Sequence, residues 1–93
     1  MPDDLRRSSK SRHSKPPAID VAFGRVLQEA RKEKRLSQEV LGFESGYHRT
    51  YVSLLERGLK NPTLQAVFRI STALQVPASD LVRRVEHILR RAD

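Results

Sequence analysis

Cysteine and tryptophan are missing from this chain, and three phenylalanines and two tyrosines are its only aromatic residues. Without cysteine there are no disulfides and no thiolate metal sites, which suits a reducing compartment. No apolar run approaches the roughly 18 residues of a membrane span. The N-terminus also lacks a hydrophobic signal segment, so the expectation is a cytoplasmic protein. Four glycines form no phosphate-cradling loop, and no paired carboxylates stand at a spacing suited to acid–base work. The histidines, His13, His48 and His87, are scattered and have no evident orienting acid. These absences argue against an enzyme: no catalytic residue, metal ligand or cofactor is assigned.

Positive charge is what the chain has in excess. Eighteen Lys and Arg against eleven Asp and Glu give +7 and a pI near 10.6, which points to a polyanionic partner. The bland alternative is a soluble chain that merely repels its own copies. Part of the charge sits in residues 1–17, where Arg6, Arg7, Lys10, Arg12 and Lys15 against Asp3 and Asp4 leave +3. With Met1 and Leu5 as its only sizeable apolar groups, this stretch cannot offset its ordering entropy by burial and is expected to be disordered. It reads either as a basic arm that adds phosphate contacts or as a solubilising leader. Residues 18–93 then make one domain with a single modest core.

Helical periodicity runs through that domain. Phe23, Val26, Leu27 and Ala30 recur at i, i+3, i+4 and i+7 and predict a first helix over about 18–34. It ends in Arg31, Lys32, Lys34 and Arg35, cations that complement a helix C-terminus, and Leu36 is expected to bury at the joint that follows. Asn61-Pro62 forbids direct continuation of the third helix. Thr63 then caps a fourth, on which Leu64, Val67, Phe68, Ile70 and Leu74 are all expected in the core. After Val76-Pro77 a fifth helix spans about 78–91. Leu81, Val85, Ile88 and Leu89 form its apolar face, widened by Val82, and a two-fold dimer contact is the natural use of what the core leaves over. The competing reading packs all of it inside one chain.

The central stretch, Leu36 to Thr63, carries the functional signal. Ser37 is a good N-cap for a second helix over about 37–44, in which Glu39 suits the positive helix end and Val40 and Leu41 form the apolar stripe. Gly46 can take the left-handed conformation that stops it. A third helix follows over about 48–57, with Val52 and Leu55 as its buried pair and Gly58 just past its end. Two short helices joined by a tight glycine turn make a helix-turn-helix. On the far side of the second of them, Arg49, Thr50 and Ser53 point away from the core.

Leu36-Ser37-Gln38, Gly46, the run from Tyr47 to Ser53, Leu55-Glu56-Arg57-Gly58 and Asn61-Pro62-Thr63-Leu64 together resemble the Cro/repressor-type, or XRE, family over about residues 21–90. In length and in YVSLLERGLKNPTL the chain is also similar to the controller proteins of restriction-modification systems. The resemblance implies an all-α fold, a five-helix lambda-repressor-like DNA-binding domain, with the third helix in the major groove of double-stranded DNA. It makes Arg49 and Thr50 the leading base readers, with Ser53 and Leu54 deeper on the same face. Arg49 suits guanine O6 and N7, and Leu54 either meets a thymine methyl or is simply an exposed leucine. Gln38 is implied as a phosphate contact at a helix N-terminus, joined by His48, Tyr51, Lys60 and Asn61. Arg31 and Glu56 are implied as a structural ion pair. The family's usual alanine is replaced by Gly42, which reads as a weakened second helix. The expected function is a nucleoid-associated transcriptional regulator, most simply a repressor, acting as a homodimer on an inverted repeat. The alternative is an antitoxin-like autoregulator of the same fold that also holds a protein partner.

Overall fold

The computed structural model describes residues 18–91, among which lie five α-helices and no strand. They are α1 (Ala18–Glu33), α2 (Gln38–Ser45), α3 (Arg49–Glu56), α4 (Leu64–Leu74) and α5 (Ala78–Arg91). The basic arm expected over 1–17 lies outside the described residues. None of the described helices is long and apolar enough to cross a membrane.

Local chemistry sets the helix ends. Ser37 Oγ accepts from Val40 N at 3.0 Å, and Thr63 Oγ1 accepts from Ala66 N at 2.9 Å, each satisfying a leading N–H of α2 or α4. Gly46, at φ 83°, turns the chain out of α2, and Tyr47 N closes the turn on Gly42 O at 2.8 Å. The fourth helix stops without glycine: Gln75 itself takes the left-handed conformation, at φ 61°.

One core joins all five helices. Phe23, Val26 and Leu27 of α1 meet Leu41 of α2, Val52 and Leu55 of α3, Ile70 and Leu74 of α4, and Leu81 of α5. Full burial of such side chains contributes about 1.5–3 kcal/mol each against the entropy of ordering the chain. The first helix packs on both α3 and α5, while α2 packs on α3 and α4. The helix-turn-helix is thereby gripped from two sides.

Several expectations about burial need correction. Phe68 is 55% and Leu64 71% exposed. The buried face of α4 is Ala66, Val67, Ile70, Ser71 and Leu74; at 3.6 residues per turn, Leu64 and Phe68 fall on its flank, outside that stripe. Val40 is likewise exposed, so Leu41 carries the apolar face of α2 with little help. On α5, Leu81 and Val85 are spent in the core of the single chain and have little surface for a second copy. Ile88 and Leu89 are only half-buried, and Val82 is exposed.

Candidate nucleic-acid interface

The third helix is short, and its two ends are held differently. Its N-cap is His48, not its first helical residue: His48 Nδ1 accepts from Thr50 N at 3.0 Å. An accepting Nδ1 places the ring proton on Nε2, which is then a donor. At the other end, the Glu56 side chain is 1% exposed and forms an ion pair with Arg31, itself 11% exposed. The contact is a fork: Arg31 Nε to Oε2 at 2.6 Å and Nη2 to Oε1 at 3.0 Å. Arg31 Nη1 also donates to Leu36 O at 2.8 Å, fixing the joint between α1 and α2. The hydrogen bond to Glu56 raises the Arg31 pKa beyond the ordinary guanidinium value, burial works against that rise, and the charge of Glu56 adds to it. The guanidinium therefore stays charged through any pH at which the fold is handled.

Two glycines allow α3 to sit this close. A Cβ on Gly24 would lie 2.4 Å from Leu55 O and 2.7 Å from Glu56 O, both backbone atoms that cannot swing aside. Gly42 would place a Cβ 2.8 Å from Tyr47 O and 3.1 Å from Arg49 N. Gly42 is therefore not merely an alanine position that weakens α2. It lets the turn and the start of α3 pack against that helix, and alanine would push them away.

The expected DNA-facing residues are distributed as follows. His48, Arg49 and Thr50 are exposed and line one groove of about 460 Å³ with Glu39, Phe43 and Tyr47. Ser53 and Leu54, one turn further on, are half-buried, so Leu54 is not a freely exposed leucine. Gln38 stands in the first turn of α2, half-buried, and its Nε2 donates to Glu56 Oε1 at 2.9 Å. Tyr51 is half-buried, its ring 4.7 Å from that of Tyr47, and the Arg69 guanidinium lies 5.4 Å from the Tyr47 ring centre. Burial chiefly, then Tyr47, raises the Tyr51 pKa above 10, with Thr63 opposing, so its hydroxyl is a donor at neutral pH. Lys60 and Asn61 are exposed between α3 and α4.

The amino-acid sequence matches a family model described as helix-turn-helix over residues 27–81. The chain belongs to that family. It is a DNA-binding transcriptional regulator of the XRE type. Among relatives, the control protein C.BamHI of Bacillus amyloliquefaciens is 43% identical over 65 residues, which is 69% of this chain and 80% of that one. The crystal structure of the restriction-modification controller protein C.AhdI from Aeromonas hydrophila superposes with a TM-score of 0.64 at 44% identity, covering 66% of this chain and 92% of that one. The wild-type controller protein C.Esp1396I gives a TM-score of 0.74 at 27% identity, over 81% of this chain and 97% of that one.

Several features of the site were not identified from the linear sequence. Phe43 is 82% exposed beside Arg49 and Thr50, and neither its apolar character nor its spacing distinguishes it from a core residue. Gly24 looks like any helix-interior glycine until α3 is laid against it. The reach of Arg69 back to Tyr47 joins α4 to the turn, a pairing no local pattern announces. The capping role of His48 did have a signal: it stands just before the periodic residues of α3, where an N-cap belongs.

Proposed function

We propose that this protein binds double-stranded DNA as a homodimer at an inverted repeat and controls restriction-modification genes, most simply as a repressor. The observation that carries the reading is the division of α3. Val52, Leu55 and Glu56 hold it to the body, and Arg49 and Thr50 stand exposed on one wall of a groove at its start. That is the disposition a recognition helix needs, with its N-terminal residues free to meet base edges. Arg49 would read guanine; Thr50, Ser53 and Leu54 would complete the half-site. Gln38, His48, Tyr51, Lys60 and Asn61 would take phosphates, which set register without reading sequence. Similarity to the controller proteins supports the choice of target genes.

One short helix reads only a few base pairs, so a second copy is needed. An apolar trough of about 450 Å³ between α1, α4 and α5, lined by Ile19, Leu64, Val67, Val82 and Leu89, supports a two-fold contact. Ile19, Leu64 and Val82 are exposed along it. Leu89 and Val82 would form this contact with Val85 at its floor, while Leu81 is buried in the core and Ile88 borders a separate depression beside Val26 and Glu29. The same trough supports a second reading, an antitoxin-type regulator that also holds a protein partner; a stable heteromeric complex on co-purification would favour it.

Selection of bound sequences from a random duplex pool, at about 150 mM salt where non-specific binding is screened, tests the proposal. An inverted repeat with half-sites about 34 Å apart is the expected product. Recovery of no enriched motif would overturn the operator reading, and a lone half-site would overturn the dimer.

A further inference from the structure

We propose that Glu56 is a positioning residue for DNA binding: by holding one N–H of the Gln38 amide, it aims the other at a backbone phosphate. This rests on the reading of Gln38 as a phosphate contact. The observation behind it is a shared oxygen. Glu56 Oε1 accepts from Arg31 Nη2 at 3.0 Å and also from Gln38 Nε2 at 2.9 Å, while Oε2 accepts from Arg31 Nε at 2.6 Å. The ion pair is already complete without Gln38, because a guanidinium fork and a carboxylate satisfy each other in two parallel bonds. Nor is Gln38 a core residue: it is half-buried in the first turn of α2, where the leading N–H groups of the helix have no partner within it.

An amide nitrogen carries two hydrogens. With one bound to Glu56, the side chain is held in place and the second N–H stays beside the N-terminus of α2, a position that favours anions. A long polar side chain that becomes ordered only on binding forfeits affinity to its lost rotamer freedom, and one held in advance does not. Arg31 makes the arrangement tolerable to a phosphate, since it neutralises the carboxylate that does the holding. The device links 18 residues of sequence, from the start of α2 to the end of α3.

Charge alone forecasts the opposite behaviour. Glu56→Gln removes a negative charge from the DNA-facing half of a basic protein and leaves Arg31 unpaired, which by electrostatics should tighten binding. The positioning account predicts weaker binding, because an amide cannot accept from Arg31 Nε, Arg31 Nη2 and Gln38 Nε2 through two oxygens as the carboxylate does.

A double-mutant cycle in the full chain on the selected operator separates these. Wild type, Gln38→Ala, Glu56→Gln and the double variant are titrated at a temperature where circular dichroism shows each one folded. Gln38→Ala is expected to weaken wild-type binding by about tenfold, the scale of one hydrogen bond to a charged group. In the Glu56→Gln background the same change should cost less than about twofold. Equal losses in both backgrounds, or tighter binding by Glu56→Gln, would overturn the positioning role and leave Gln38 as a phosphate contact. No loss from Gln38→Ala in the wild-type background would overturn the phosphate contact itself. Should Glu56→Gln fail to fold, side-chain ¹⁵N relaxation of the DNA-free wild-type protein carries the test. The Gln38 amide should be rigid beside that of exposed Gln65, and equal mobility of the two would overturn the proposal.

Discussion

The two ends of α3 differ in almost every physical respect. The C-terminal end is fixed by a buried carboxylate, a bidentate guanidinium, the Gln38 amide and a helix-to-helix approach so close that Gly24 has no room for a methyl group. The N-terminal end has a single histidine cap and three exposed side chains at the rim of a groove. Energy is thus concentrated at the end away from the groove, and freedom is left at the end where the proposed reading would take place. A helix built this way can change its exposed residues with little cost to the fold, as the proposed recognition role requires.

The comparison can be broken first at the tethered end. Glu56→Ala leaves Arg31 charged and partly buried without its partner, and removing one member of such a pair costs about 3–5 kcal/mol. Thermal melts should show Tm falling by roughly 12 °C or more, given about 4–8 °C per kcal/mol in a domain of this size. Gly24→Ala forces α1 and α3 apart against two backbone carbonyls. Its expected cost is about 3 kcal/mol, the upper end of ordinary overpacking, read from the urea midpoint.

At the other end the effects shrink. His48→Ala removes a cap from Thr50 N and should cost about 1 kcal/mol, with a matching loss of amide-exchange protection confined to the first turn of α3. Alkaline titration gives the smallest and latest effect. Folding raises the Tyr51 pKa, so this contribution to stability is complete below about pH 10 and is lost as pH rises through the raised value. Phenolate absorbance should show Tyr51 ionising above the range of a free tyrosine, and Tyr51→Phe should remove that step.

Much of the framework was readable because helix ends are local. Ser37, Gly46 and Thr63 act through hydrogen bonds or torsions within a few residues, and the structure places the observed ends within about a residue of those they indicated. The buried pair Val52 and Leu55 was legible for the same reason, since periodicity alone distinguishes the two faces of a short helix. Failures came wherever the answer depended on what lay opposite. Phe68 and Leu64 are apolar and border the core stripe, yet no described element packs over that flank of α4. Gly42 looked like a weak alanine until its contact with the turn was visible. The Arg31–Glu56 pair follows from family resemblance rather than spacing, and no local pattern announces the Gln38 bond that joins it. Local chemistry marks elements in a sequence; contacts across 18 to 25 residues do not.

The claim that reading and holding are separate duties of one helix is tested most directly by Arg49→Ala. The quantity to measure is its affinity for the selected operator relative to a scrambled duplex at one salt concentration, with the melt of the same sample. The account predicts that operator affinity falls by about tenfold or more, the worth of one bidentate base contact, with binding to the scrambled duplex reduced far less and Tm unchanged within about 2 °C. Equal losses on both duplexes, or a clear drop in Tm, would show that the exposed end of α3 does not read the bases independently of the fold.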